Sequence, residues 1–276
     1  MGVSRYQRTI MRGLLKNILL LAVFTMIFAL SQIVVGFVVI PLSPAGIDDF
    51  CFMCIYFFSM ILCYLAITIL ERRVYGRVVP IDNSRRGCNP VTILAGVVLL
   101  FAISILLAPL GEILPVDSRE FPDGPFTLIT IVVLAPIFEE MIFRGRLYNI
   151  FHHNGSPLTA ATLSALAFGL VHLEPYVIIE ALVVGVVFSY YYIAKRSIFT
   201  PILLHMCNNA FAYALLVLSY RGESLLNLLG DGMMITIAYG VSAAIVAVCA
   251  IIVFRRLIIE RRNERRVIEE EEEIDE

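Results

Sequence analysis

Eight apolar runs of membrane-crossing length follow one another through this chain, at about 17–40, 50–70, 91–114, 126–146, 157–173, 175–194, 198–218 and 232–254. A helix needs roughly 20 mostly apolar residues to cross a bilayer. Inside lipid every backbone N–H and C=O must be paired, which for a run of this kind means a helix. The pattern predicts an all-α fold, a polytopic transmembrane helical bundle of about eight spans. Composition points the same way, because 59% of the 276 residues are hydrophobic and the mean hydropathy is +0.87, too apolar to cover a water-facing surface. A soluble protein is excluded, and no nucleic-acid partner is expected.

Turn signals separate the runs: Pro41, Pro44 and Gly46, then Pro80 and Pro90, the stretch from Pro115 to Pro125, Asn154-Gly155-Ser156-Pro157, Glu174-Pro175 and Gly230-Asp231-Gly232. The first run is too long for a signal-peptide core and no small-residue cleavage site stands clearly behind it, so it reads as a retained span. With eight crossings and the N-terminus inside, 19 of the 21 basic residues fall on the cytoplasmic side, leaving Arg119 and Arg221 outside. The positive-inside rule favours that arrangement, so both termini are expected in the cytoplasm and the chain in the cell membrane as a multi-pass protein. Residues 1–254 then form a single transmembrane domain, and 255–276 a charged cytoplasmic tail, basic to Arg266 and acidic from Glu269. Cys51 and Cys54 stand three apart, a spacing that reads as small packing residues rather than a metal site.

A charge at mid-bilayer costs about 2.5–3.5 kcal/mol on insertion scales, so each one asks for a partner or a function. The first, second and last runs carry no ionisable group in their middles, whereas the fourth to seventh carry Glu139, Glu140, Arg144, His172, Glu180 and His205. Three patterns stand out there: Glu139-Glu140-x-x-x-Arg144, Phe168-x-x-x-His172 and His205-x-x-x-Asn209. Adjacent residues on a helix point about 100° apart, so Glu139 and Glu140 have different tasks. Arg144 lies four residues after Glu140, the favourable order for a helical ion pair, which leaves Glu139 free to face elsewhere. His205 and Asn209 share one helix face. An antiparallel hairpin about Gly155-Ser156 sets Glu139 level with His172.

These motifs, in this order and on separate spans, resemble those of the CAAX-protease and bacteriocin-processing family, which includes the membrane endoprotease that trims prenylated CaaX proteins. The resemblance covers about residues 126–215, a protease-like core. It implies peptide-bond hydrolysis within the bilayer, with Glu139 as catalytic carboxylate, Glu140 and Arg144 as its supporting pair, His172 as a water-activating or ligand residue, and His205 with Asn209 as the third motif. Phe168 is expected to pack beside the site. The implied partner is a peptide or protein substrate at the membrane, and the family's range leaves that substrate open between prenylated, bacteriocin-type and other membrane-associated chains.

Two mechanisms fit the residues. Glu139 acts as general base on a water held with His172, while His205 and Asn209 donate to the oxyanion. Alternatively His172, His205 and a carboxylate hold zinc, whose bound water attacks. Asparagine is a good oxyanion donor and a poor zinc ligand and no H-E-x-x-H is present, so no cofactor is favoured, with zinc the alternative. A serine-protease reading lacks a G-x-S-x-G elbow, and Ser164 and Ser189 are expected to bond their own helix backbone. Membrane Glu, His and Arg groups also build proton relays, so a proton-coupled transporter is a second reading, though neither inverted repeats nor paired broken helices are visible. A catalytically silent immunity or scaffold protein is a third.

Overall fold

A computed structural model of the protein describes residues 5–40, 47–114, 122, 124–219, 225–230 and 232–275. Among them the regular elements are helices, with one isolated bridge between Asn83 and Ser197. In chain order these are α1 (Arg5–Val39), α2 (Asp49–Tyr75), α3 (Pro90–Ile113), α4 (Pro125–His152), α5 (Pro157–Leu170), α6 (Pro175–Lys195), α7 (Phe199–Ser219), the short α8 (Leu225–Leu229) and α9 (Gly232–Asp275). Four of the prolines that punctuate the sequence open helices. Pro90, Pro125, Pro157 and Pro175 occupy the first turns of α3 to α6, where a missing N–H costs nothing. Asn89 and Ser156 cap two of these helices by accepting from the N–H groups of Thr92 and Thr159.

Among the described residues six helices, α1 to α4, α6 and α9, are long and apolar enough to cross a membrane. The fifth run is shorter than its sequence suggests. α5 has 14 residues and ends at Leu170, so it spans about 21 Å at 1.5 Å per residue, less than the ~30 Å hydrocarbon thickness. The turn after it places Leu173 at φ 65° and carries His172. α4, by contrast, continues six residues past its expected end, to His152. α9 runs without a break through the charged tail to Asp275, so no helix boundary marks residue 254. Arg119 and Arg221, the two basic residues expected outside, lie beyond the described residues.

The interface that positions the site is the one between α2 and α4. Along α2, Tyr56, Met60, Cys63, Tyr64, Ile67, Glu71 and Tyr75 fall within roughly 120° of arc at 3.6 residues per turn. Met60, Cys63, Ile67 and Glu71 are buried. That face meets α4 in parallel: Phe50 packs on Phe126, Tyr56 reaches Glu139, Arg146 reaches Tyr64 and Glu71, and Tyr75 donates to the Ile150 carbonyl. Parallel packing follows when one intervening crossing, α3, carries the chain back. α1 runs antiparallel to α2, with Lys16 over the Tyr75 ring at one end and Gln32 beside Ser59 further along.

Arg146 was expected as a cytoplasmic charge, but it is buried. Its guanidinium contacts Glu71 Oε2 at 3.3 Å and donates to the Val79 carbonyl at 2.7 Å. The Val79 N–H in turn donates to Glu71 Oε1. Together with Ile198 N–H to Asp82 and Ser84 N–H to Arg196, these bonds strap the 76–89 segment across one end of the bundle.

Candidate active site

α4 carries the reacting groups, and two irregularities in its winding aim them. Thr130–Leu134 and Phe143–Leu147 are π-helical, with Ala135 N–H bonding Thr130 and Tyr148 N–H bonding Phe143. Such bulges insert a residue and re-aim the side chains that follow. In the first, the next donor in π register is Pro136, which has no N–H, so the Ile131 carbonyl has no helical partner. Asn209 Nδ2, from α7, donates to that carbonyl at 2.9 Å. In the second, the Phe143 carbonyl accepts from Ser164 Oγ of α5 at 2.8 Å. Ser164 therefore bonds across helices, not to its own backbone as expected, because the bulge exposes an acceptor within its reach.

Glu140 is completely buried and pairs with Arg144 Nη1 at 2.9 Å. Arg144, also fully buried, donates through Nη2 to the Gly185 carbonyl at 2.8 Å. Its guanidinium lies 4.7 Å over the Phe168 ring and 5.4 Å from that of Phe188, so cation–π contacts supplement the ion pair. A Cβ on Gly185 would stand 3.2 Å from Arg144 Nη2 and 3.1 Å from Phe168, so a larger residue would displace these side chains by a few tenths of an ångström. Arg144 and Arg146, two residues apart, point to different neighbours, the first to α6 and the second to α2.

His205 joins the two glutamates. Its Nδ1 lies 3.0 Å from Glu140 Oε1 and its Nε2 3.7 Å from Glu139 Oε2, with the histidine only 4% exposed. Phe188 stacks on the imidazole at 4.8 Å and Phe168 meets it edge-on at 5.5 Å. Because a carboxylate only accepts, Nδ1 carries a proton toward Glu140. Glu139, 14% exposed, is the open member of the cluster, and its Oε1 accepts from Tyr56 Oη at 2.7 Å.

His172, half-buried in the turn after α5, reaches the cluster through Phe168. Its ring lies 5.1 Å from the Phe168 ring, and its Nδ1 stands 2.8 Å from the Phe168 carbonyl. A carbonyl accepts only, so Nδ1 holds the proton and Nε2 is the atom left to receive one. Phe143 and Phe168, each four residues from Glu139 and His172 on the antiparallel α4 and α5, meet at 5.2 Å, which sets His172 near the level of Glu139. A groove of about 510 Å³ between α3 and α9, along Val97, Phe101, Ile105, Met234 and Val241, has none of the four candidate catalytic residues in its walls.

The zinc alternative finds no support. Among the described residues no group of three or more His, Cys, Asp or Glu side chains is placed to hold a metal ion. Both nitrogens of His205 face the two glutamates, at 3.0 and 3.7 Å, and His172 is tied to the Phe168 carbonyl and ring outside that trio. No step is therefore routed through zinc.

Sequence reasoning missed Tyr56. It lies in an apolar run without ionisable groups, and its partner is 83 residues away. The available signal was a tyrosine in the middle of a membrane span, whose hydroxyl needs a partner.

These helices and this buried carboxylate–imidazole cluster belong to a multi-pass membrane protein whose central part is similar to a family of membrane proteases. Residues 122–211 match the family described as Rce1-like, type II CAAX prenyl endopeptidase, the stretch that holds all three motifs. An Escherichia coli protein described as an uncharacterized 24.3 kDa protein is 28% identical over 165 residues, 54% of this chain and 76% of that one. The membrane-embedded CAAX protease MroQ of Staphylococcus aureus (strain USA300) is 30% identical over 111 residues, 38% of this chain and 44% of its own length. No solved structure matches the chain.

Proposed function

We propose that this protein is an intramembrane endopeptidase in which Glu139 activates water to hydrolyse a peptide bond of a membrane-associated substrate. The observation that carries this reading is the contrast within the cluster. Glu140 and Arg144 are sealed, while Glu139 stays partly open with His205 Nε2 3.7 Å from its free oxygen. In the reaction Glu139 Oε2 takes a proton from water as the water oxygen attacks the scissile carbonyl, and the same proton passes to the departing amine. His172 Nε2 accepts from the water and holds its orientation. The Arg144 guanidinium offsets the Glu140 carboxylate, and His205 donates toward the developing oxyanion. Asn209 contributes its remaining N–H. The match to a CAAX-protease core and the likeness to MroQ favour a substrate whose cleavage site lies at the membrane surface, of the prenylated or bacteriocin type.

The test is cleavage of a peptide library containing lipidated and unlipidated membrane-anchored sequences by purified protein, with and without chelator. Glutamate-driven hydrolysis predicts cleavage that persists in chelator. Cleavage abolished by chelator and restored by zinc defeats the water-activation scheme, and no cleavage of any membrane-anchored sequence defeats the protease reading. In the same assay Asn209→Ala should lower kcat by about 10²–10³ with KM little changed, because an oxyanion donor acts only at the transition state. A raised KM at unchanged kcat would place Asn209 in substrate binding instead.

A further inference from the structure

The geometry points to Tyr56 as a positioning residue for Glu139, an inference that rests on Glu139 being the water-activating carboxylate. The phenol donates to Oε1 at 2.7 Å, while Oε2 faces His205 Nε2 at 3.7 Å. The two carboxylate oxygens are thereby made unequal: Oε1 is held from α2, and Oε2 is left for water. Phe57 and Phe138, the residues next to the bonded pair, pack edge to face at 5.5 Å and 81°, a second contact between α2 and α4 at this level.

The fully buried Ser59 hydroxyl lies 2.9 Å from the Tyr56 backbone carbonyl and 3.1 Å from Gln32 Oε1 of α1, so α1 braces the turn of α2 that carries Tyr56. A rigid ring with one donor at its tip suits this task. It delivers a hydrogen bond across an apolar interface without bringing a second charge near the base, and bonds in such surroundings are stronger than in water. Without it the carboxylate could rotate about its last bond and present either oxygen, and the proton-abstracting geometry would be one of several.

The experiment compares wild type with Tyr56→Phe, which keeps the ring and its packing and removes only the hydroxyl. kcat should fall about 10- to 100-fold, the worth of one hydrogen bond to a charged group, with KM changed by less than about twofold because the contact is to the base and not to substrate. In a Glu139→Gln background the same change should have no further effect, since Tyr56 acts through Glu139. A second readout is independent of activity. A hydrophobic carbodiimide, followed by mass spectrometry, should modify Glu139 faster in Tyr56→Phe because the phenol no longer occupies Oε1, with the rate at Glu180 on α6 as internal reference. An equal loss of kcat with and without Glu139, or an unchanged Glu139 labelling rate, overturns the assignment. Wild type that labels as expected but cleaves no peptide instead sinks the protease reading and leaves the Tyr56–Glu139 contact standing.

Discussion

Glu139→Gln yields a protein that folds, extracts from membranes and elutes like wild type, and cleaves its substrate at least about 10²- to 10⁴-fold more slowly, the range a positioned general base contributes. Folding survives because glutamine fills the same volume and its side-chain oxygen still accepts from Tyr56, the one hydrogen bond under 3 Å that the carboxylate makes. At 14% exposure the site also tolerates a polar amide without stranding it. Catalysis does not survive, because an amide nitrogen cannot accept a proton from water at neutral pH. The check is kcat with substrate at saturation, measured beside the thermal midpoint of the same preparation in detergent. Activity within a fewfold of wild type would remove Glu139 from the chemistry and shift attention to His172, whose Nε2 is the other available acceptor.

What could be read from the sequence was whatever is local along one helix. Glu140 and Arg144 pair as their i, i+4 spacing requires, and Phe168 packs against the cluster as expected. Helical periodicity, however, fixes only directions around an axis and not which neighbour meets each face. His205 therefore could not be seen as the link between Glu139 and Glu140, a contact 65 residues apart in the chain. Arg146 counted as a topology charge because its partner Glu71 lies 75 residues earlier. The π-helical turns escaped for a different reason. They go with tertiary partners, Asn209 on the Ile131 carbonyl that the first bulge releases and Ser164 as a second donor to the Phe143 carbonyl, and no pattern within α4 other than Pro136 hints at them. The stop of α5 at Leu170 was likewise hidden, since Val171 is as apolar as the helix before it.

Glu140→Gln should damage the fold where Glu139→Gln does not. Glu140 Oε1 receives both Arg144 Nη1 at 2.9 Å and His205 Nδ1 at 3.0 Å, in a place with no solvent access. Removing its charge leaves the Arg144 guanidinium buried among neutral contacts, the glutamine oxygen, the Gly185 carbonyl and the faces of Phe168 and Phe188. Breaking one partner of a buried pair costs about 3–5 kcal/mol, a large share of the roughly 5–15 kcal/mol that holds a typical domain together. The expected result is a sharply lowered thermal midpoint and poor recovery from detergent. The cost comes from the stranded charge, not from the lost glutamate, and a second substitution separates the two. Glu140→Leu combined with Arg144→Met removes both charges, and replacing a whole buried pair by apolar groups is often close to neutral. The double variant should therefore regain most of the lost midpoint while remaining poorly active, because His205 has lost the carboxylate that orients its Nδ1. A Glu140→Gln protein as stable and active as wild type, next to an unfolded Glu139→Gln, would exchange the roles of the two glutamates.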